Sequence, residues 1–171
     1  MEDEIEYLER PGGAELAYCY SPPKAGVKGT TLVFLPGYMS DMEGGKALAL
    51  DAWSKEQGRA MLRLDYAGCG ASGGEFEDQS LTDWRDDVLF LIDKVTEGSV
   101  TLIGSSMGGW LMLLVALARP MRVKAMVGIA AAPDFTDWGF TQEQKMTILR
   151  EGKLEEGSEY SDDPYVTTKT F

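Results

Sequence analysis

Ser106 stands in Gly104-Ser105-Ser106-Met107-Gly108, a G-x-S-x-G pattern with a short apolar run before it and a longer one after it. Read as strand, tight turn and helix, this pattern lifts the serine hydroxyl above a sheet at a strained corner. Gly104 and Gly108 are then small because neighbouring backbone passes close on both sides. The chemistry is nucleophilic attack on an acyl carbon, with the charge developing on its oxygen held by backbone amides. The bland alternative is a plain strand-to-helix turn. The same chain holds a second match, Gly70-Ala71-Ser72-Gly73-Gly74, but Glu75-Phe76-Glu77-Asp78 follows it and no apolar helix does. Ser106 is therefore the candidate nucleophile and Ser72 a loop residue.

A second candidate element is Pro36-Gly37-Tyr38-Met39-Ser40-Asp41-Met42, which closes the apolar run 30–35. In an enzyme with a serine corner, the loop after such a strand supplies one amide to the developing oxyanion. Gly37 turns the backbone and the Tyr38 N–H is the candidate donor; an ordinary strand-to-helix turn is the alternative. The glycine-dense stretch 65–74 lacks both the Gly-Lys-Ser/Thr ending and a G-x-G-x-x-G opening a helix, so it reads as a structural loop rather than a phosphate cradle. Cys69, with no histidine near it, reads as a small loop residue.

These groups need a scaffold, and its elements are legible. Residues 4–10 and 14–20 flank Pro11-Gly12-Gly13 and form an antiparallel hairpin. Residues 30–35 are a strand buried on both faces. Residues 46–57 form a helix, with Leu48, Ala49, Ala52 and Trp53 on one side and Gly58 as its stop. Residues 59–64 are the next strand. Ser80-Leu81-Thr82-Asp83 has the form of a capping box for a helix through Val95. Along it Leu81, Trp84, Val88, Leu91, Ile92 and Val95 share a face. The serine corner follows, its helix ending near Ala118 before Pro120, and residues 123–129 form another strand. Strand and helix alternate from residue 30, which predicts a three-layer αβα sandwich with a mostly parallel sheet. Residues 141–150 suit one more helix, whereas 151–171 is acidic and without clear periodicity.

Composition bounds the rest. The chain has 171 residues, 44% of them hydrophobic, and suits one globular domain. A net charge of −12 argues against binding nucleic acid or an anionic membrane surface. The acidic stretches 1–9 and 151–163 read as solvated surface. No apolar stretch is long enough to span a bilayer, and no secretory signal begins the chain. Two cysteines without a C-x-x-C pair suit a reducing compartment, so the cytoplasm is expected. No cofactor is expected, and no metal, because carboxylates are not clustered at ligand spacing. There is no histidine anywhere.

Leu35-Pro36-Gly37-Tyr38, Asp65-Tyr66-x-Gly68-x-Gly70-x-Ser72-x-Gly74, Trp84-Arg85-x-Asp87-Val88 and Gly104 through Leu113 resemble the α/β-hydrolase superfamily, in its order. More narrowly they resemble a branch of bacterial and mitochondrial serine esterases, the acyl-protein thioesterase and acyl-glucuronide esterase type. The resemblance covers about residues 4–170. It implies Ser106 as the nucleophile, the N–H groups of Tyr38 and Met107 as the oxyanion hole, and a small-molecule acyl ester or thioester as substrate.

The chain departs from that pattern where the family places its later triad members, an acid and then a histidine. Asp134 follows the sixth strand, where some relatives carry the acid, and nothing here can serve as the histidine base. The expectation is an incomplete α/β-hydrolase fold: a core over residues 1–133, the start of a cap or insert at 134–171, and poor turnover by this chain alone. The sequence is then the N-terminal piece of a longer hydrolase. Strand 123–129 is left as an exposed edge open to self-association. Phe135, Trp138 and Phe140 either line an acyl site or pack in the core. A non-catalytic interaction protein on the same fold is the alternative, favoured by the missing histidine; a nucleotide-binding doubly wound domain lacks any phosphate fingerprint.

Overall fold

The computed structural model describes residues 4–158 and 162–171. The turn at Pro11-Gly12 joins β1 (Glu6–Glu9) to β2 (Glu15–Ser21) as an antiparallel hairpin. Next come β3 (Thr31–Leu35), α1 (Gly45–Glu56), β4 (Met61–Leu64), a 3-10 turn at Phe76–Asp78, and α2 (Leu81–Val95). Then follow β5 (Val100–Ser105), α3 (Met107–Ala118) and β6 (Val123–Ile129). The strands make one six-stranded sheet in the order β1-β2-β4-β3-β5-β6, parallel from β4 to β6.

Every residue of β3 and β4 is buried, because helices cover both faces. Successive side chains on a strand point to opposite faces. Val33, Leu35, Leu62 and Leu102 pack with Trp84, Val88 and Leu91 of α2 and Leu111 and Val115 of α3. Leu32, Phe34, Met61 and Ile103 pack with Ala47 of α1 on the other side. The αβα layering expected from the alternation is thus present, with the antiparallel hairpin at one edge.

The face of α1 differs from the one its apolar residues suggest. Ala47, Asp51 and Ser54 are buried, while Leu48 and Trp53 stay 45% and 44% exposed. A charge sets this orientation: the Asp51 carboxylate lies 2.7 Å from Lys55 Nζ and 3.6 Å from the buried Arg63 Nε on β4. Burying Leu48 instead would leave Arg63 without that carboxylate.

A second buried charge fixes α2. Ser80 caps it in a reciprocal pair with Asp83, and Asp87 on its inner face is fully buried. Its Oδ2 accepts the Ala67 N–H at 2.9 Å, and its Oδ1 lies 2.7 Å from Arg10 Nε. Burial dominates and pushes the Asp87 carboxyl up to about 6, with the Ala67 N–H and Arg10 opposing it. A carboxyl raised on folding binds its proton more tightly in the native state. Its contribution to stability is therefore full below the unfolded value near 3.8 and lost as pH climbs through about 6. Relative to Asp87→Asn, the wild type should lose about 2–3 kcal/mol between pH 3.5 and 6.5. Denaturant titrations of both proteins across that range check this; a pH-independent difference contradicts it.

Beyond β6, α4 (Phe135–Trp138) and α5 (Gln142–Glu151) precede an antiparallel pair, β7 (Lys153–Glu156) with β8 (Tyr165–Thr168). The region 151–171 is thus not featureless. Two four-residue strands are too short to show a period, and the part of that stretch at 159–161 lies outside the described residues, as do residues 1–3 of the N-terminal acidic run. The strand β6 ends the sheet, and along it Met126 and Val127 are 45% and 50% exposed.

Candidate active site

Ser106 is the hinge between β5 and α3, at φ 52 and ψ −118. A non-glycine residue held there stores roughly 1–3 kcal/mol of backbone strain, which surrounding structure must over-determine. It does so from three directions. The Ser106 N–H donates to the Ile129 carbonyl at 3.0 Å, and its own carbonyl accepts from Gly109 N at 2.9 Å and Ala132 N at 3.0 Å. The residue is exposed, while Ser105 and Met107 beside it are buried. The corner is close-packed backbone on backbone. A Cβ at Gly104 would lie 2.3 Å from the Gly108 carbonyl oxygen, and one at Gly108 only 2.1 Å from that of Leu35. Gly109, which the pattern does not include, has the same constraint: its Cβ would meet that of Ala131 at 2.3 Å.

The loop after β3 touches this corner. A Cβ on Gly37 would sit 3.4 Å from Ser106 Cβ, so the backbone leading to Tyr38 runs against Ser106. Among the described residues, neither the Tyr38 N–H nor the Met107 N–H has a hydrogen-bond acceptor. Met107 also opens α3, whose dipole places partial positive charge at that end. Two free amides thus flank an exposed hydroxyl, which suits an oxygen that gains negative charge.

Above them lies a cavity of about 670 Å³. Gly37, Tyr38 and Ser106 line one part of it, and Phe135, Phe140 and Tyr165 supply an aromatic wall. Lys46, from the first turn of α1, and Glu156, from β7, bring charge to it. The Glu156 carboxylate already accepts from the Gln144 side chain at 2.7 Å. Sequence reasoning missed Lys46, Glu156 and Tyr165, because each reaches the cavity through tertiary packing rather than a local motif. Of the three aromatics considered for an acyl site, Trp138 does not line the cavity: it is 67% exposed and its indole N–H donates to the Pro133 carbonyl. Asp134 is exposed at the start of α4 and is not part of the cavity wall either.

The glycine-dense loop is structural. The Asp65 carboxylate accepts the N–H groups of Met42 and Ala71 at 2.7 and 2.8 Å. The Ser72 hydroxyl donates to the Asp65 carbonyl and accepts from Ala17 N–H, both at 2.8 Å, stitching the loop to β2. A hydroxyl engaged twice in this way is no nucleophile. Burial pushes the Cys69 thiol up to about 12, so it stays protonated at neutral pH. Cys19 is also buried. Among the described residues no group of three or more acids or cysteines is arranged to hold a metal, and no helix is long and apolar enough to cross a membrane.

A family profile for the alpha/beta hydrolase fold matches residues 30–153. Over 162 residues the chain is 41% identical to "Palmitoyl-protein thioesterase ABHD10, mitochondrial" of Homo sapiens, covering 93% of this chain and 52% of that protein. The chain spans about half the length of the curated relatives it matches. Among solved structures, one from Agrobacterium vitis S4 superposes with a TM-score of 0.88 at 31% identity, covering all of this chain and 70% of the other. Mouse alpha/beta hydrolase domain-containing protein 10 superposes with a TM-score of 0.83 at 35% identity, over 98% and 67% of the two chains.

Proposed function

The chain belongs to the α/β-hydrolase fold family, and from that premise we propose that it carries the nucleophile and oxyanion hole of a serine hydrolase acting on carboxylic esters or thioesters. The observation that carries this reading is the strained, exposed Ser106 between two amides that have no acceptor among the described residues. In the reaction, Ser106 Oγ attacks the acyl carbon and the carbonyl oxygen gains charge between the N–H groups of Tyr38 and Met107. The bond to the leaving group breaks, and water later releases the acyl group from the serine. The aromatic wall of Phe135, Phe140 and Tyr165 suits an apolar acyl chain. The thioesterase name of the human relative supports a thioester among the substrates.

The serine needs a proton acceptor, and the 171 residues contain no histidine. On this reading the base lies outside them, and residues 1–133 form the catalytic core while 134–171 begin a cap. A triad stripped of its base still retains the oxyanion hole and binding, worth roughly three to four orders of magnitude over water. Two cysteines without a C-x-x-C pair suit a reducing compartment: the cytoplasm, by the sequence reading, while the human relative is named mitochondrial. The exposed run Met126-Val127 on the edge of β6 supports self-association through that edge.

The absence of histidine favours a second reading, a non-catalytic protein retaining the fold. A fluorophosphonate separates the two. With imidazole added as an external base, Ser106 should be phosphonylated over hours and Ser106→Ala should not. A chain inert under those conditions supports the non-catalytic reading.

A further inference from the structure

In the chemistry above Tyr38 contributes only its backbone N–H, yet its ring packs against five other aromatic rings of the described residues. Its centroid lies 5.0 Å from that of Phe171, 5.4 Å from Phe76 and 6.0 Å from both Trp84 and Phe135. Tyr165 of β8 stacks on it at 6.3 Å. Through this packing the hydroxyl reaches β8, donating to the Val166 carbonyl at 2.5 Å and lying within hydrogen-bonding reach of the Thr167 side chain. The Val166 N–H in turn meets Met39 Sδ at 3.4 Å. Both backbone groups of one β8 residue are thus engaged by two successive residues of the loop that borders Ser106. The ends of that loop are pinned, the Pro36 carbonyl accepting from the Tyr66 hydroxyl at 2.9 Å and the Met42 N–H donating to the Asp65 carboxylate at 2.7 Å. Between them the Ser40 N–H donates to the Gly37 carbonyl at 3.2 Å, and Met39 sits at φ 53. Burial holds the Tyr38 phenol far above its ordinary value, so the proton it donates stays in place.

We propose that the Tyr38 hydroxyl, through Val166, is a positioning group for the oxyanion hole: the β7–β8 hairpin anchors the far end of Tyr38 so that its N–H stays directed at the oxygen bound over Ser106. The inference rests on the reading of Ser106 as nucleophile and of Tyr38 N–H as oxyanion donor. An amide in an oxyanion hole stabilises the transition state only when it is already aimed within a few tenths of an ångström. The loop is pinned at Pro36 and Met42, at its two ends, and the side-chain tether fixes the stretch between them that carries the Tyr38 N–H. The tether acts on the reacting state and leaves the aromatic wall of the cavity unchanged, so its loss should slow chemistry and leave binding alone.

The test is the rate of phosphonylation of the chain by an alkyl fluorophosphonate with imidazole present, resolved into a maximal rate and a half-saturating concentration. Tyr38→Phe keeps the ring and removes the hydroxyl. Its maximal rate should fall about tenfold with the half-saturating concentration unchanged, a smaller loss than the hundredfold or more typical of deleting a donor outright. Phe76→Leu loosens the same aromatic cluster without touching the hydrogen bond. It should lower the melting temperature yet keep the maximal rate within about twofold of wild type, as a group with no part in aiming the amide would. A Tyr38→Phe rate equal to wild type, or a loss matched by Phe76→Leu, overturns the positioning role while leaving Ser106 as nucleophile. A wild-type chain that never reacts at Ser106 overturns both.

Discussion

Ser106→Gly is expected to abolish covalent capture by acyl and phosphonyl reagents and, at the same time, to make the protein more stable. Nucleophilicity is lost with the hydroxyl. Stability rises because residue 106 sits at φ 52, ψ −118, where a side chain is strained and glycine is not. Strain relief of roughly 1–3 kcal/mol outweighs the extra freedom glycine gives the unfolded chain, about 0.5–1 kcal/mol. The net expectation is a gain of about 1 kcal/mol in unfolding free energy. Ser106→Ala keeps the Cβ and the strain, so it should lose reactivity with no such gain. Denaturant titration of the three proteins orders them as glycine above alanine and wild type. Glycine less stable than alanine by the full ~0.5–1 kcal/mol of its unfolded-state freedom would mean the corner stores no strain, and with it would go the structural case for a serine held there for chemistry.

The largest loss of stability is expected from Gly108→Ala. Inside a helix this exchange ordinarily stabilises by about 1 kcal/mol. Here the added methyl would lie 2.1 Å from the Leu35 carbonyl oxygen and 2.6 Å from that of Pro36. Both are backbone atoms at the end of β3, the strand at the centre of the sheet, and neither can rotate away. Separating α3 from β3 to admit the methyl pulls Leu111 and Val115 from the core. A cost of at least about 3 kcal/mol follows. Gly45→Ala is the control: at the first position of α1 an added Cβ meets nothing within 4 Å. It should be neutral or stabilising by about 0.5–1 kcal/mol. Thermal melts of the two variants beside wild type decide the matter, and a Gly108→Ala protein as stable as Gly45→Ala would show that the corner is looser than drawn.

The fold was legible where local chemistry and long-range packing agree. The capping box at Ser80 and Asp83, the run of buried residues in β3 and the boundaries of β6 all followed from residue type and spacing. Legibility failed where a charge overrides hydrophobic pattern. Leu48 and Trp53 look like the inner face of α1, yet Asp51 takes that face because Arg63 is buried opposite it. Asp87 reads as one more acid on a charged helix, and only the sheet shows it enclosed beside Arg10 and Ala67. At the site, Ser106 and Gly37 announce themselves because a corner and a close approach need particular residues. Lys46, Glu156 and Tyr165 carry no such mark. They meet Ser106 only because α1 and the β7–β8 hairpin converge on one cavity, and four-residue strands give no periodic signal. Ser72 shows the converse: a letter-perfect match whose hydroxyl is fully engaged in holding a loop to β2.

Peptide mapping of the chain after reaction with a fluorophosphonate and imidazole asks most directly whether the corner at Ser106 is built for covalent chemistry. The account predicts one modified peptide, carrying the added mass on Ser106, and none in Ser106→Ala. Adducts scattered over lysines and tyrosines, or a predominant adduct on Ser72, would contradict it.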